Sequence, residues 1–167
     1  GQEIQPPPEI FLYEPLFATA SGSDFQFNGQ RCHLSILGSY HVFNAVAALT
    51  VASVLNIKTE QAAAALANIK SLAGKMEKIE AGQNFHVLID YAFEPKALEA
   101  LYQNLNFIHY RRLIHILGSA GGGRDQARRS ILGKMAGEKA NIVIVTNEDP
   151  YDVNPQDIII LVEKKKK

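Results

Sequence analysis

Cysteine is nearly absent from this 167-residue chain: Cys32 stands alone, which excludes an intramolecular disulfide framework and suits a reducing compartment. An excess of either charge is missing too. Seventeen basic residues face seventeen acidic ones, so no global field draws the chain to nucleic acid or to an anionic membrane. No apolar run reaches the roughly 18 residues that a membrane span needs. The opening GQEIQPPPEI has neither the basic nor the apolar part of a secretory leader. These absences lead us to expect a cytoplasmic protein with no nucleic-acid or membrane partner. The histidines at 33, 41, 86, 109 and 115 form no metal-ligand spacing with carboxylates or the cysteine, so no metal site is expected. No G-x-S-x-G elbow or Cys/His arrangement suggests covalent catalysis. The chain begins at Gly1 rather than methionine, and we expect it to be part of something larger.

What is present is an ordinary globular composition, 47% hydrophobic, enough for one domain or two small ones. Phe25 and Phe27 alternate with polar residues, Asn28-Gly29 is a two-residue hairpin signal, and Cys32, Leu34 and Ile36 resume the alternation. A β-hairpin with one buried face is expected over 23–37, with Cys32 as a small buried hydrophobe. YHVFNAVAALTVASVLNI (40–57) is apolar on most sides and reads as a well-buried helix. Thr59 is placed to cap a second helix, EQAAAALANI, and the pattern changes near Gly74, which suggests a domain boundary between 1–73 and 74–167.

From there the rhythm is strand and helix in alternation: FHVLIDYA, PKALEALYQNLNFI, RRLIHILG, QARRSILGKMAGE, ANIVIVT, PQDIIILVEKKKK. Such alternation implies an α/β layer of three parallel strands with right-handed crossovers, thin enough to suggest an incomplete domain. The terminal KKKK reads as a solvated helix end.

In open parallel sheets ligands gather at the carboxyl ends of the strands. Three polar segments fall there: Asp90-Tyr91-Ala92, GSAGGGRD (118–125) and Thr146-Asn147-Glu148-Asp149-Pro150-Tyr151. The glycine cluster has the G-x-x-x-x-G spacing of a P-loop, but Arg124-Asp125 follows where Lys-Ser/Thr is needed. It also fails as G-x-G-x-x-G, since Ala120 takes the second glycine position. What remains is a turn presenting Arg124, with Asp125 as a helix N-cap and the pair Arg128-Arg129 a turn further on. That arrangement serves either as a capped helix with solvated arginines or as an anion site at a helix N-terminus. Asp90 is placed either to bind a ribose hydroxyl or a cation, or to cap a turn. His41 and Asn44 share a helix face as polar core residues or as base-recognition groups.

Five stretches in order, LGSYHVFNAVAAL, LAGKMEKI, VLIDYAFEPKAL, LGSAGGGRDQARRSILGKMA and VTNEDPYDVNP, resemble the signature segments of the Mur ligases. The likeness is strongest to the branch that adds the third residue of the peptidoglycan stem peptide. It implies a Rossmann-like C-terminal domain with parallel strands, preceded by the β-hairpin and helices that end a central ATPase domain. It implies an ATP-dependent amide ligase working through an acyl phosphate, with UDP-MurNAc-peptide and an amino acid as substrates and with Mg2+ ligands mostly outside this chain. Folylpolyglutamate and cyanophycin synthetases share the architecture, and a non-catalytic nucleotide- or partner-binding domain is the alternative outside enzymes.

By the resemblance, His41, Asn44, Lys75, Asp90 and Arg124 face the nucleotide, while Arg124, Asn147, Asp149 and Tyr151 face the amino-acid substrate. The chain departs from the family pattern at His41, Lys75, Phe93 and Gln126, which stand for asparagine, arginine, histidine and lysine. E-D-P-Y replaces D-N-P-R, so the arginine that would clamp the distal carboxylate of meso-diaminopimelate is absent. Tyr151 stands in its place, and Asp149, where the motif has asparagine, suggests a cationic side chain such as lysine. With no G-T-N-G-K-T/S loop, the chain alone is expected not to hydrolyse ATP.

Overall fold

A computed structural model describes residues 12–123 and 126–163, which form two compact units, one ending at Ile89 and the other beginning at Asp90. The first unit opens with an antiparallel sheet of β1 (Tyr13–Thr19), β2 (Gly22–Phe27) and β3 (Gln30–Leu34), in that order. The expected hairpin is β2–β3. Asn28 and Gly29 both take positive φ, 48° and 78°, as a tight turn matched to strand twist requires. Phe25, Phe27, Cys32 and Leu34 fill its inner face and bury against Val42, Ala45 and Leu49 of α1 (His41–Val54) and Ala63 of α2 (Thr59–Ala67). Both phenylalanines are fully buried, each contributing about 2–3 kcal/mol of apolar transfer. Burial pushes the Cys32 thiol above its ordinary range, as suits an inert core residue.

Two local expectations are corrected. α1 is not buried on most sides: Phe43, Val51, Val54 and Leu55 are exposed, because the described residues place apolar partners against only one of its faces. Thr59 does not cap α2 from outside; it is the first helical residue, Lys58 precedes it, and no side chain caps that end.

The first unit closes with an antiparallel pair, β4 (Glu77–Ile79) and β5 (Val87–Ile89). In the second unit, α3 (Pro95–Leu105), β6 (Ile114–Leu117), α4 (Ala127–Lys139), β7 (Ile142–Val145) and α5 (Pro155–Glu163) alternate, and β6 pairs with β7 in parallel. The expected three parallel strands therefore reduce to two. FHVLIDYA supplies β5, whose three residues pair backwards onto β4 through Glu77↔Ile89 and Ile79↔Val87. Leu98, Tyr102, Leu105, Leu132, Ala136, Ile158 and Val162 form the buried apolar set of this unit. α4 and α5 approach so closely that a Cβ on Gly133 would run into the Val162 carbonyl. Gln126 stands before α4 with no side-chain cap bond, while Arg124, Asp125 and the terminal lysines 164–167 lie outside the described residues.

Candidate functional site

The glycine loop after β6 and the polar segment after β7 are built into each other at the carboxyl ends of the parallel pair. The Gly121 N–H donates to the Asp149 carbonyl at 2.9 Å, and Thr146 N–H donates to Leu117 O at 2.9 Å. A Cβ on Gly121 would run into the Pro150 carbonyl, and one on Gly122 would lie 2.8 Å from the Tyr151 ring. The glycines are there because a neighbouring backbone and an aromatic ring occupy the space of their side chains. Tyr151 takes φ 53°, a sparsely populated conformation for a non-glycine residue, and its ring stays 66% exposed. Asn147 and Asp149 are exposed beside it.

Beneath these loops lies a cavity of about 160 Å³, lined by Asp90, Tyr91, Phe93, His115, Gly118 and Glu148 among others. Tyr91 and Phe93 meet edge to face at 5.2 Å. On the helix side, Tyr102 Oη and His115 Nδ1 lie 2.6 Å apart in a hydrogen bond whose direction follows the histidine tautomer. Burial drives both toward neutrality: His115 titrates below its ordinary value and Tyr102 is pushed up to about 12.

The pair at the start of α4 is not solvated. Arg128 and Arg129 are 6% and 2% exposed. Arg128 Nη1 donates to Glu94 Oε1 at 2.7 Å, and its guanidinium stands 5.3 Å from the centre of the Phe93 ring. Arg129 Nη2 donates to the carbonyl of Ala120 at 3.0 Å. Sequence reasoning missed these contacts, and missed Glu148 and His115 as cavity residues. The Arg128–Glu94 pair spans 34 residues, and no local pattern announces such a contact.

In the first unit His41 is buried at 2% exposure, with Tyr40 packed 4.5 Å from its ring. Its Nδ1 lies 3.4 Å from Nδ2 of the exposed Asn44, so these two residues do share a face. Gly38, at φ +115°, leaves room for both rings: a Cβ there would stand 3.1 Å from each. Lys75 is exposed in the turn between Gly74 and Met76, both at positive φ, and lines a second cavity with Lys70 and Lys78. Arg124, expected at both the nucleotide and the amino acid, lies outside the described residues.

Residues 74–167 match the glutamate ligase domain of the Mur ligases. The chain belongs to the Mur ligase family. This Mur ligase segment is 44% identical over 117 residues to the UDP-N-acetylmuramyl-tripeptide synthetase of Roseiflexus sp., covering 70% of the chain and 23% of that relative. It is 37% identical over 135 residues to the UDP-N-acetylmuramoyl-L-alanyl-D-glutamate–2,6-diaminopimelate ligase of Caldanaerobacter subterraneus, covering 81% of the chain and 28% of the relative. The segment thus spans about a quarter of these curated relatives. Its fold is that of the Mycobacterium tuberculosis folylpolyglutamate synthase crystallised with ADP and AMPPCP, with a TM-score of 0.71 at 21% identity over 92% of the chain and 36% of that structure. Mur ligase membership fits the mixed α/β build with its parallel strand pair.

Proposed function

We propose that this segment belongs to an ATP-dependent ligase that adds the third amino acid to a UDP-MurNAc-dipeptide in the cytoplasm, during peptidoglycan synthesis. The observation that carries the reading is the joining of the glycine loop to the 146–151 segment through Gly121, Asp149, Pro150 and Tyr151. Asn147, Asp149 and Tyr151 are all exposed in the segment so joined to the loop that precedes Arg124 in the sequence. The muramyl-tripeptide names of the sequence relatives support the same branch, whereas the likeness to folylpolyglutamate synthase is one of fold.

In this reading ATP phosphorylates a substrate carboxylate; the incoming amine attacks the acyl carbon, phosphate leaves, and an amide remains. The segment contributes positioning and charge rather than a nucleophile. Asn44 offers an amide to an adenine edge, with His41 packed beneath it. Lys75 offers a cation to phosphates and Asp90 a carboxylate to ribose hydroxyls. Arg124 balances the charge of the reacting carboxylate or of the amino acid's own carboxylate. The residues present do not form a Mg2+ cage: among the described residues no group of three or more His, Cys, Asp or Glu could hold a metal. We further take residue 74, where the family match begins, as the sequence boundary between the central-domain tail and the C-terminal domain, although β4 and β5 cluster with the first compact unit, which ends at Ile89.

Asp149 and Tyr151 favour lysine over meso-diaminopimelate: Tyr151 stands where an arginine would clamp the distal carboxylate, and the Asp149 carboxylate two residues before it suits a cationic side chain. Competition between the two amino acids in the ligase that carries this segment tests the assignment. Preference for meso-diaminopimelate overturns the lysine reading, and failure to extend a UDP-MurNAc-dipeptide with either overturns the ligase reading.

A further inference from the structure

We propose that the first turn of α4 is a double clamp, in which Arg128 positions the loop 90–94 and Arg129 positions the glycine loop 118–123. Neither arginine belongs there for the helix's own sake. A cation in the first turn meets the positive end of the helix dipole, and burying a guanidinium is costly unless it is paired. No acidic residue in that turn offsets them, and each draws its compensation from a loop instead. Arg128 takes the Glu94 carboxylate at 2.7 Å and the face of Phe93 at 5.3 Å. Arg129 takes the Ala120 carbonyl at 3.0 Å. Adjacent residues on a helix point about 100° apart, so one turn reaches both loops.

Phe93 gives Arg128 a second handle. It occupies the position where the resembling motif carries histidine, and an aromatic face accepts a guanidinium where a protonated imidazole would repel it. The planar fork also explains arginine rather than lysine at 128, since an ammonium does not stack on the ring while bonding the carboxylate. The two loops carry Asp90 and the contacts that hold Asp149 and Tyr151. A single rigid turn therefore sets the spacing between the two.

Backbone order parameters of the 167-residue chain test the clamp directly. Arg128→Lys is expected to lower the values at residues 91–93 from about 0.85 to about 0.6 or less, leaving 119–122 unchanged; Arg129→Lys is expected to do the reverse. Glu94→Gln keeps both arginines and the fold, and is expected to reproduce the Arg128→Lys pattern in milder form. Equal loosening of both loops by each variant, or no loosening at 91–93 in Glu94→Gln, overturns the clamp. The assignment of the loops to nucleotide and amino acid rests on the proposed function and is read separately in the ligase that carries this segment. There Arg128→Lys should raise KM for ATP roughly tenfold with little change for the amino acid, and Arg129→Lys the converse. The expected loosening pattern in the order parameters without that KM split leaves the clamp standing and overturns the assignment of the loops.

Discussion

A methyl group at residue 121 has nowhere to go. The Pro150 carbonyl occupies that space, and the Gly121 N–H is committed to Asp149 O, so the loop cannot simply rotate away. Gly121→Ala is expected to destabilise the second unit by about 2–4 kcal/mol or to push the 146–151 segment outward. Thermal unfolding reads the first, and loss of amino-acid affinity in the ligase reads the second. Tyr102 and His115 give a prediction in pH. His115 titrates below 6.5 when folded, so the unfolded chain takes up the proton first and stability falls as pH drops below that value. Tyr102 holds its proton to about 12 against 10.0 unfolded, so stability also falls as pH rises from 10.0 toward 12. Urea midpoints across pH check both limbs. Tyr102→Phe should abolish the alkaline limb and cost about 1–3 kcal/mol at neutral pH, because it strips His115 Nδ1 of a buried partner.

At the scale of elements, the β6–β7 pair shows one face covered and one bare. Ile114, Ile116, Ile142 and Ile144 are 41–62% exposed and stand opposite one another as Ile114↔Ile142 and Ile116↔Ile144. Parallel sheets are normally covered on both faces, so this face is adhesive in the isolated chain. Replacing the opposed pair with opposite charges, Ile116→Lys with Ile144→Glu, should reduce self-association measured by light scattering while leaving helicity intact. The elements also mark how far local pattern reaches. Hairpin β2–β3 was legible because alternation and Asn28-Gly29 agree, and β6 and β7 because their apolar runs are bounded by turn residues. β1 was not, since Pro15 and the bulge between Pro15 and Phe17 break its alternation. β4, at three residues, is too short to show a period, while β5 was legible as a strand in FHVLIDYA but its antiparallel pairing with β4 was not. The three loops of the candidate site could be read from the strand ends that carry them; the way Arg128, Glu94 and Phe93 join them could not, because that contact is settled by tertiary packing.

For the whole molecule, the two units each bury their own apolar set, the first around Phe25, Phe27 and Leu49 and the second around Leu98, Leu132 and Val162. In sequence, neither unit carries the P-loop lysine and hydroxyl that cradle β- and γ-phosphates. GSAGGGRD has the glycine spacing but carries Arg124-Asp125 in place of the lysine and hydroxyl that reach those phosphates and their metal. Gly121 and Gly122 accommodate Pro150 and Tyr151, so the space beside these two glycines is filled by the chain's own residues. The 167-residue chain by itself should therefore release no phosphate from ATP above background, with or without lysine and a UDP-MurNAc-dipeptide. A colorimetric phosphate assay checks this, run beside a full-length Mur ligase as the positive control. Turnover by the isolated chain that survives repurification would mean that phosphate chemistry resides in these two units, and the role given to the glycine loop would have to be reversed.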